Sequence, residues 1–168
     1  MHKFQPYPIE ELEFNPFTKI GKDWFLLTSG DKAKANTMTA SWGGLGVLWG
    51  KNVVFTFVRD TRYTKEFLDN NDFFTISFMD ESKRKALQYL GSTSGRDENK
   101  LEISGLTFDY FRGIPYIDES KFVIVCKKMS ATRLTEESFL DPSILPKCYA
   151  DKNMHTMYVG EILEVLAR

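Results

Sequence analysis

Asn36-Thr37-Met38-Thr39-Ala40-Ser41-Trp42-Gly43-Gly44 is followed, after one apolar run, by Arg59-Asp60-Thr61-Arg62-Tyr63-Thr64-Lys65-Glu66-Phe67. The apolar run, Val53-Val54-Phe55-Thr56-Phe57-Val58, is β-branched or aromatic at nearly every position and reads as an interior strand covered on both faces. The first motif places small hydroxyl residues and glycines around a tryptophan where a core strand would be apolar. That pattern reads as backbone kept bare for a flat, polar-rimmed ligand. The second sets two arginines and two threonines at a helix start, where unpaired N–H groups, a positive dipole end and guanidinium forks all favour phosphate. Together they point to a phosphorylated aromatic cofactor.

Working outward, the strands dominate. Residues 24–29 form a strand that closes at Gly30-Asp31, and a second over residues 36–42 completes a hairpin before a glycine-rich stretch, 43–50. Residues 73–78 (FFTISF) match the 53–58 strand in being apolar on both faces. Between them a helix is expected over 61–70, with Tyr63, Phe67 and Leu68 at helical spacing and Asp60 or Thr61 as its cap. A second helix begins near Ser82, turns Ala86, Leu87 and Leu90 inward, and ends at Gly91. The charged segment 92–100 leads into a short turn through Leu101 and Ile103. Strands follow over 106–111, 114–117, 121–134 and 156–165. In the longest, Phe122, Ile124 and Cys126 share one face and Val123 and Val125 the other. Pro142 and Pro146 bracket a surface connection. A strand-rich antiparallel chain of this kind removes its edges by closing into a barrel with peripheral helices.

Composition bounds the function. With 168 residues, 42% hydrophobic, the chain reads as one domain, 1–168, with a proper core. A net charge of −1 and no long basic block argue against a nucleic-acid partner. No apolar run nears the roughly 18 residues of a membrane span, and the start lacks a secretory apolar core, so a cytoplasmic protein is expected. Two cysteines, Cys126 and Cys148, are far apart and read as a buried thiol and an unpaired one. With only two histidines besides, no metal site is expected.

The motifs together, NTMTASWGG at 36–44, RDTRYTKEF at 59–67, SGRDENK at 94–100 and HTMYVGEI at 155–162, resemble the flavin reductase-like family, and within it the flavoredoxin-type branch. The resemblance runs from about residue 17 to the end. It implies an antiparallel Greek-key split β-barrel and a homodimer with FMN at its interface. By the same resemblance Met38, Thr39, Ala40, Ser41 and Trp42 line the isoalloxazine edge, and Arg59, Thr61, Arg62, Tyr63 and Thr64 hold the ribityl phosphate. Ser94, Gly95 and Lys100 close over it.

His155 stands between two readings. A lone histidine at a strand start is commonly a hydrogen-bonded structural residue, whereas the resemblance sets it near the flavin face as a catalytic candidate. For Arg59 and Arg62 the bland alternative is a solvated helix end with an Arg62–Glu66 pair. No Ser-His-Asp set, paired carboxylates or strand-linked GxGxxG is present. Any nicotinamide would therefore be held transiently on the flavin. Hydride transfer from NAD(P)H to FMN is the leading expectation. An electron carrier reduced by a redox protein is the second, and a non-catalytic flavin-binding module the third.

Overall fold

The computed structural model describes residues 2–168. In chain order the elements are β1 (Gln5–Tyr7), α1 (Pro16–Thr18) running into a π-helical turn (Lys19–Asp23), β2 (Phe25–Gly30), β3 (Ala35–Ala40), β4 (Gly43–Leu48) and β5 (Lys51–Arg59). They continue with α2 (Tyr63–Asn70), β6 (Phe73–Phe78), α3 (Arg84–Ser92), α4 (Lys100–Ile103), β7 (Phe108–Phe111), β8 (Ile114–Ile117), β9 (Phe122–Arg133), α5 (Ile144–Cys148) and β10 (His155–Ala167).

One antiparallel sheet runs in the order β3-β2-β6-β9-β10-β5-β4, with β1 pairing the far end of β10. Its two outermost strands, β3 and β4, are joined by Ser41 and Trp42 alone. Three consecutive Cα–Cα steps of 3.80 Å span at most about 11 Å. The ends of a seven-strand path therefore lie side by side at that link, which a flat sheet cannot achieve. The sheet is rolled into a barrel left open along the β3/β4 seam. Chain neighbours β5 and β6 are separated by β10 and β9, a Greek-key jump.

The expectation of strands covered on both faces holds. Inside the barrel, Leu27, Ile76, Ile124, Cys126 and Tyr158 join one buried cluster. Outside it, Leu26 packs with Leu87, Leu90, Leu106 and Ile117 beneath α3, and Val123 and Val125 pack under the β7–β8 hairpin. A nine-residue helix is marginal alone. Burial of Leu87 and Leu90, about 1.5–3 kcal/mol each, holds α3 against the barrel. Cys126 is buried and Cys148 half-buried, both as free thiols.

Several boundaries differ from expectation for local reasons. The glycine-rich stretch is itself a strand, β4, ending in a turn where Trp49 (φ 53°) and Gly50 (φ 69°) take left-handed conformations. Gly43 and Gly44 are bare where β5 passes close behind them. A Cβ on Gly43 would lie 2.5 Å from the Phe55 carbonyl oxygen, and one on Gly44 2.5 Å from the Phe55 ring. Gly91 does not end α3, which runs on to Ser92. Gly91 instead sits against Thr39, whose Cβ would be 3.2 Å from an added methyl. The proline-bracketed connection contains α5, with Pro146 inside it.

Candidate functional site

Beside the β3/β4 seam, where β3 faces the end of β5, lie two adjoining clefts that share Met38, Arg59 and Arg62. One, of about 210 Å³, is lined by Met38, Thr39, Ala40, Ser41, Trp42, Phe57, Arg59, Arg62 and His155. The other, of about 320 Å³, is lined by Asn36, Met38, Arg59, Thr61, Arg62, Tyr63, Thr64, Ser92, Thr93, Ser94, Lys100 and Asn153. Gly95 lines the mouth of a further cleft beyond Asn36, Tyr63 and Lys100. Every residue singled out in the sequence therefore lies on this continuous groove or at its edge. Residues from four separate stretches meet there because β3, β5 and β10 converge on the seam and the α2 and α3 termini close its end.

The second cleft is defined by cations. Arg62 lies half-buried just before α2, in an extended conformation, and no side chain caps the first turn of that helix. The expected caps are otherwise engaged. The Asp60 carboxylate accepts two hydrogen bonds from Arg133, at 2.9 and 2.7 Å, and the Thr61 hydroxyl accepts one from Asn153 at 2.8 Å. Nor does Arg62 pair with Glu66, which binds Arg96. Arg62 donates one bond, 2.6 Å, to the Gly91 carbonyl. Lys100, 4% exposed, donates to the Leu90 and Thr93 carbonyls, both at 3.0 Å.

Among the described residues neither Arg62 nor Lys100 has a carboxylate within ion-pair distance. The electrostatic cost is visible in their acidities. Burial, and then repulsion from Arg62, holds Lys100 down at about 8. Burial, and then Arg59, lowers Arg62. Buried charges are ordinarily paired. Here half-buried Arg62 and buried Lys100 border an open cleft without such a partner.

Arg59 plays a different part from that expected of a free phosphate ligand. Its guanidinium donates to the Asn153 carbonyl at 2.8 Å and the Cys148 carbonyl at 2.9 Å, with Asp151 at 3.5 Å. It clamps the 148–153 segment while still bordering both clefts. Thr64 is buried, its hydroxyl accepting from Asn36 at 2.8 Å. Gly95 is needed where the 92–99 connection crosses β3, since a Cβ there would lie 2.3 Å from Asn36 Oδ1. The Thr39 hydroxyl donates to the Leu87 carbonyl at 2.5 Å and so ties β3 to α3. Trp42, 45% exposed, overhangs the smaller cleft.

His155 is buried at the start of β10, with its ring centroid 4.9 Å from that of Trp42. Tyr149 Oη lies 2.8 Å from its Nδ1. Burial first, then the positive charge of Arg59 and Arg62, lowers its pKa to about 4, with Asp60 opposing. It is a neutral imidazole at neutral pH.

Sequence reasoning missed Asn36, Phe57, Tyr149 and Asn153. Asn36 belongs to the quoted motif, and Asn153 stands two residues before His155 in a polar turn, so both were adjacent to a signal. Phe57 alternates with the buried Thr56 and Val58 and resembles any strand aromatic. Tyr149 follows α5 and carries no local mark of function.

The fold and groove define a small antiparallel split barrel with an anion-seeking crevice along its seam. The chain belongs to the flavin reductase-like domain family, whose model matches residues 18–168. Among solved structures it is similar to a flavoredoxin from Methanosarcina acetivorans, at 22% identity and TM-score 0.67, covering 87% of this chain and 68% of that one. It is also similar to an FMN-binding domain of flavin reductase-like enzymes from Shewanella baltica, at 15% identity and TM-score 0.69, covering 98% and 77%. A third, described as a flavin reductase with a split barrel domain from Shewanella frigidimarina, has 20% identity and TM-score 0.69, covering 95% and 77%. No curated protein gives a significant sequence match. No helix among the described residues is long and apolar enough to cross a membrane.

Proposed function

We propose that this protein, as one domain over residues 1–168, binds FMN in the seam groove and passes electrons from NAD(P)H through it. The observation that carries this reading is the pair of half-buried Arg62 and buried Lys100, with no carboxylate partner among the described residues, at one end of a groove whose other end is the 38–42 segment. A phosphate dianion is the counter-ion such a pair lacks, and each charge-assisted hydrogen bond to it contributes about 1.5–3 kcal/mol. Arg62, Lys100, the first turn of α2 and Ser94 would hold the phosphate. Met38, Thr39, Ala40, Ser41, Trp42 and Phe57 would take the ring, with Arg59 keeping the 148–153 wall in place and His155 at the ring's end of the groove.

FMN, when bound, supplies a ring that accepts a hydride or single electrons. The chain's task is to hold, orient and exclude water, and positioning accounts for most of the catalysis. The outward β4 edge supports assembly as a homodimer. Val47 (74%), Trp49 (58%) and Leu48 are exposed at the β4–β5 turn, an apolar patch at the end of β4 away from Trp42.

The test is the absorption spectrum of the purified protein, then anaerobic titration with NADH and NADPH. A yellow protein bleached by either nicotinamide supports the reading, and a protein that ignores added FMN ends it. A second reading, an electron carrier reduced by a redox protein, has its support in the flavoredoxin neighbour. It prevails if FMN is bound tightly, the nicotinamides fail, and a reduced ferredoxin-type donor succeeds.

A further inference from the structure

We infer that Tyr149 is a positioning residue that fixes His155 as the Nε2–H tautomer, so that the groove is presented with a directed hydrogen-bond donor. The tautomer follows from hydrogen-bond accounting in the chain itself. Its consequence for a bound ring rests on the FMN reading above.

Tyr149 Oη and His155 Nδ1 are 2.8 Å apart in a buried contact, and the proton between them belongs to one or the other. Were it on Nδ1, the phenol would serve as acceptor and its own proton would need another acceptor. Tyr149 is 6% exposed, and its hydroxyl makes no other hydrogen bond among the described residues. An orphaned buried hydroxyl proton costs about 1–3 kcal/mol, a bias of about fivefold to about 150-fold. An sp² imidazole nitrogen is, besides, a better acceptor than a phenol oxygen. With the phenol donating, both groups are satisfied. Burial raises the Tyr149 hydroxyl above its ordinary range, so it keeps its proton to donate. The ring of His155 is neutral at neutral pH, as derived above, and so has a tautomer to be fixed.

Neutral imidazole carries one N–H. With Nδ1 accepting, that N–H is at Nε2, which has no hydrogen-bond partner among the described residues. His155 lines the smaller cleft, so Nε2 is the nitrogen left for whatever occupies it. The arrangement is built before any ligand arrives. Arg59 grips the carbonyls at both ends of the segment bearing Tyr149, and the Asp60 amide donates to the Met154 carbonyl at 2.9 Å. Phe139 packs on the Tyr149 ring, with centroids 5.2 Å apart. At the other end, the Leu134 amide holds the His155 carbonyl at 2.8 Å. Such support is what a directed donor requires, since a loose ring would spread its N–H over many directions. A donor of this kind strengthens its bond as negative charge grows on its acceptor, favouring the reduced ring over the oxidised one.

The test is long-range proton–nitrogen NMR on the ¹⁵N-histidine-labelled, flavin-free protein near pH 7. With only two histidines in the chain, His2→Gln assigns the spectrum. The expected wild-type result is a protonated Nε2 and an unprotonated Nδ1 for His155. Tyr149→Phe should give averaged tautomers, and in the FMN-loaded protein it should slow flavin reduction several-fold with FMN affinity little changed. A wild-type spectrum with the proton on Nδ1 overturns the inference, even if the variant fails to fold. So does a Tyr149→Phe spectrum with the tautomer unaltered. Because the NMR needs no flavin, a protein that shows the Nε2–H tautomer but refuses FMN supports Tyr149 as the positioning residue while removing the cofactor reading.

Discussion

Replacing Arg62 by alanine should separate two ligands that differ only in a phosphate. Arg62 offers five N–H donors, of which one is spent on the Gly91 carbonyl. No carboxylate neutralises it, and burial with Arg59 nearby already disfavours its charge. An arriving dianion therefore meets a cation with nothing to surrender. Loss of one charge-assisted hydrogen bond, about 1.5–3 kcal/mol, weakens FMN by a factor between about 10 and about 150. Riboflavin lacks the phosphate and should bind Arg62→Ala and the wild type almost equally. The assay is quenching of flavin fluorescence on titrating flavin-free protein, with a thermal melt to confirm that the variant is folded. Equal weakening of both flavins, or of neither, would refute the assignment. Arg59 is unsuited to this test, because its removal frees the Cys148 and Asn153 carbonyls and loosens the wall that carries Tyr149.

The acidity of Lys100 gives FMN binding a pH dependence. Its pKa of about 8 in the free site should rise beside a dianion, so above about pH 7, where the phosphate is a dianion, affinity is level up to pH 8 and falls beyond it, at most tenfold per pH unit. Riboflavin should show no such slope, and Lys100→Met should abolish it. The same group affects stability in the opposite sense: its folded value lies below the ordinary 10.5, so the unfolded chain binds more protons between these values. Without ligand, this contribution to stability improves as pH rises from about 8 towards 10.5, and denaturant titrations of the wild type and Lys100→Met should differ by that slope. Val47→Asp, placed on the exposed β4 patch, should shift the protein towards monomer in light scattering and weaken FMN, and an unchanged mass would argue against β4 as the interface. Gly160→Ala should destabilise by about 1–3 kcal/mol, since its methyl would lie 2.5 Å from the Phe74 ring at an irregularity in β10, and an unchanged melt would mean the ring moves freely.

Local pattern carried a great deal of this molecule. The double-faced apolar runs at 53–58 and 73–78 specify covered strands wherever they are found, because period-two alternation leaves neither face for water. Arg62 was legible from its place at a helix start, while Lys100 and His155 became candidates through the resemblance that the combined motifs carry. The bland alternative of an Arg62–Glu66 pair does not form, and the room left by Gly43 and Gly44 is taken up within the barrel. Each depended on a neighbour distant in the chain: Arg96 takes Glu66, and Phe55 takes the space beside Gly43 and Gly44.

The sequence alone determined which strands are buried, that the chain closes on itself, and which side chains have the charge and shape for a phosphorylated planar ligand. These follow from residue type and spacing, which act over a few positions. The tertiary structure decided what those side chains are left to do. Whether a cation is free for a ligand or clamped to a carbonyl, as with Arg62 against Arg59, depends on which partners the barrel brings within 3 Å. Residues 90 or more apart meet only because the β3/β4 seam folds β5, β10 and the segment before it onto one groove.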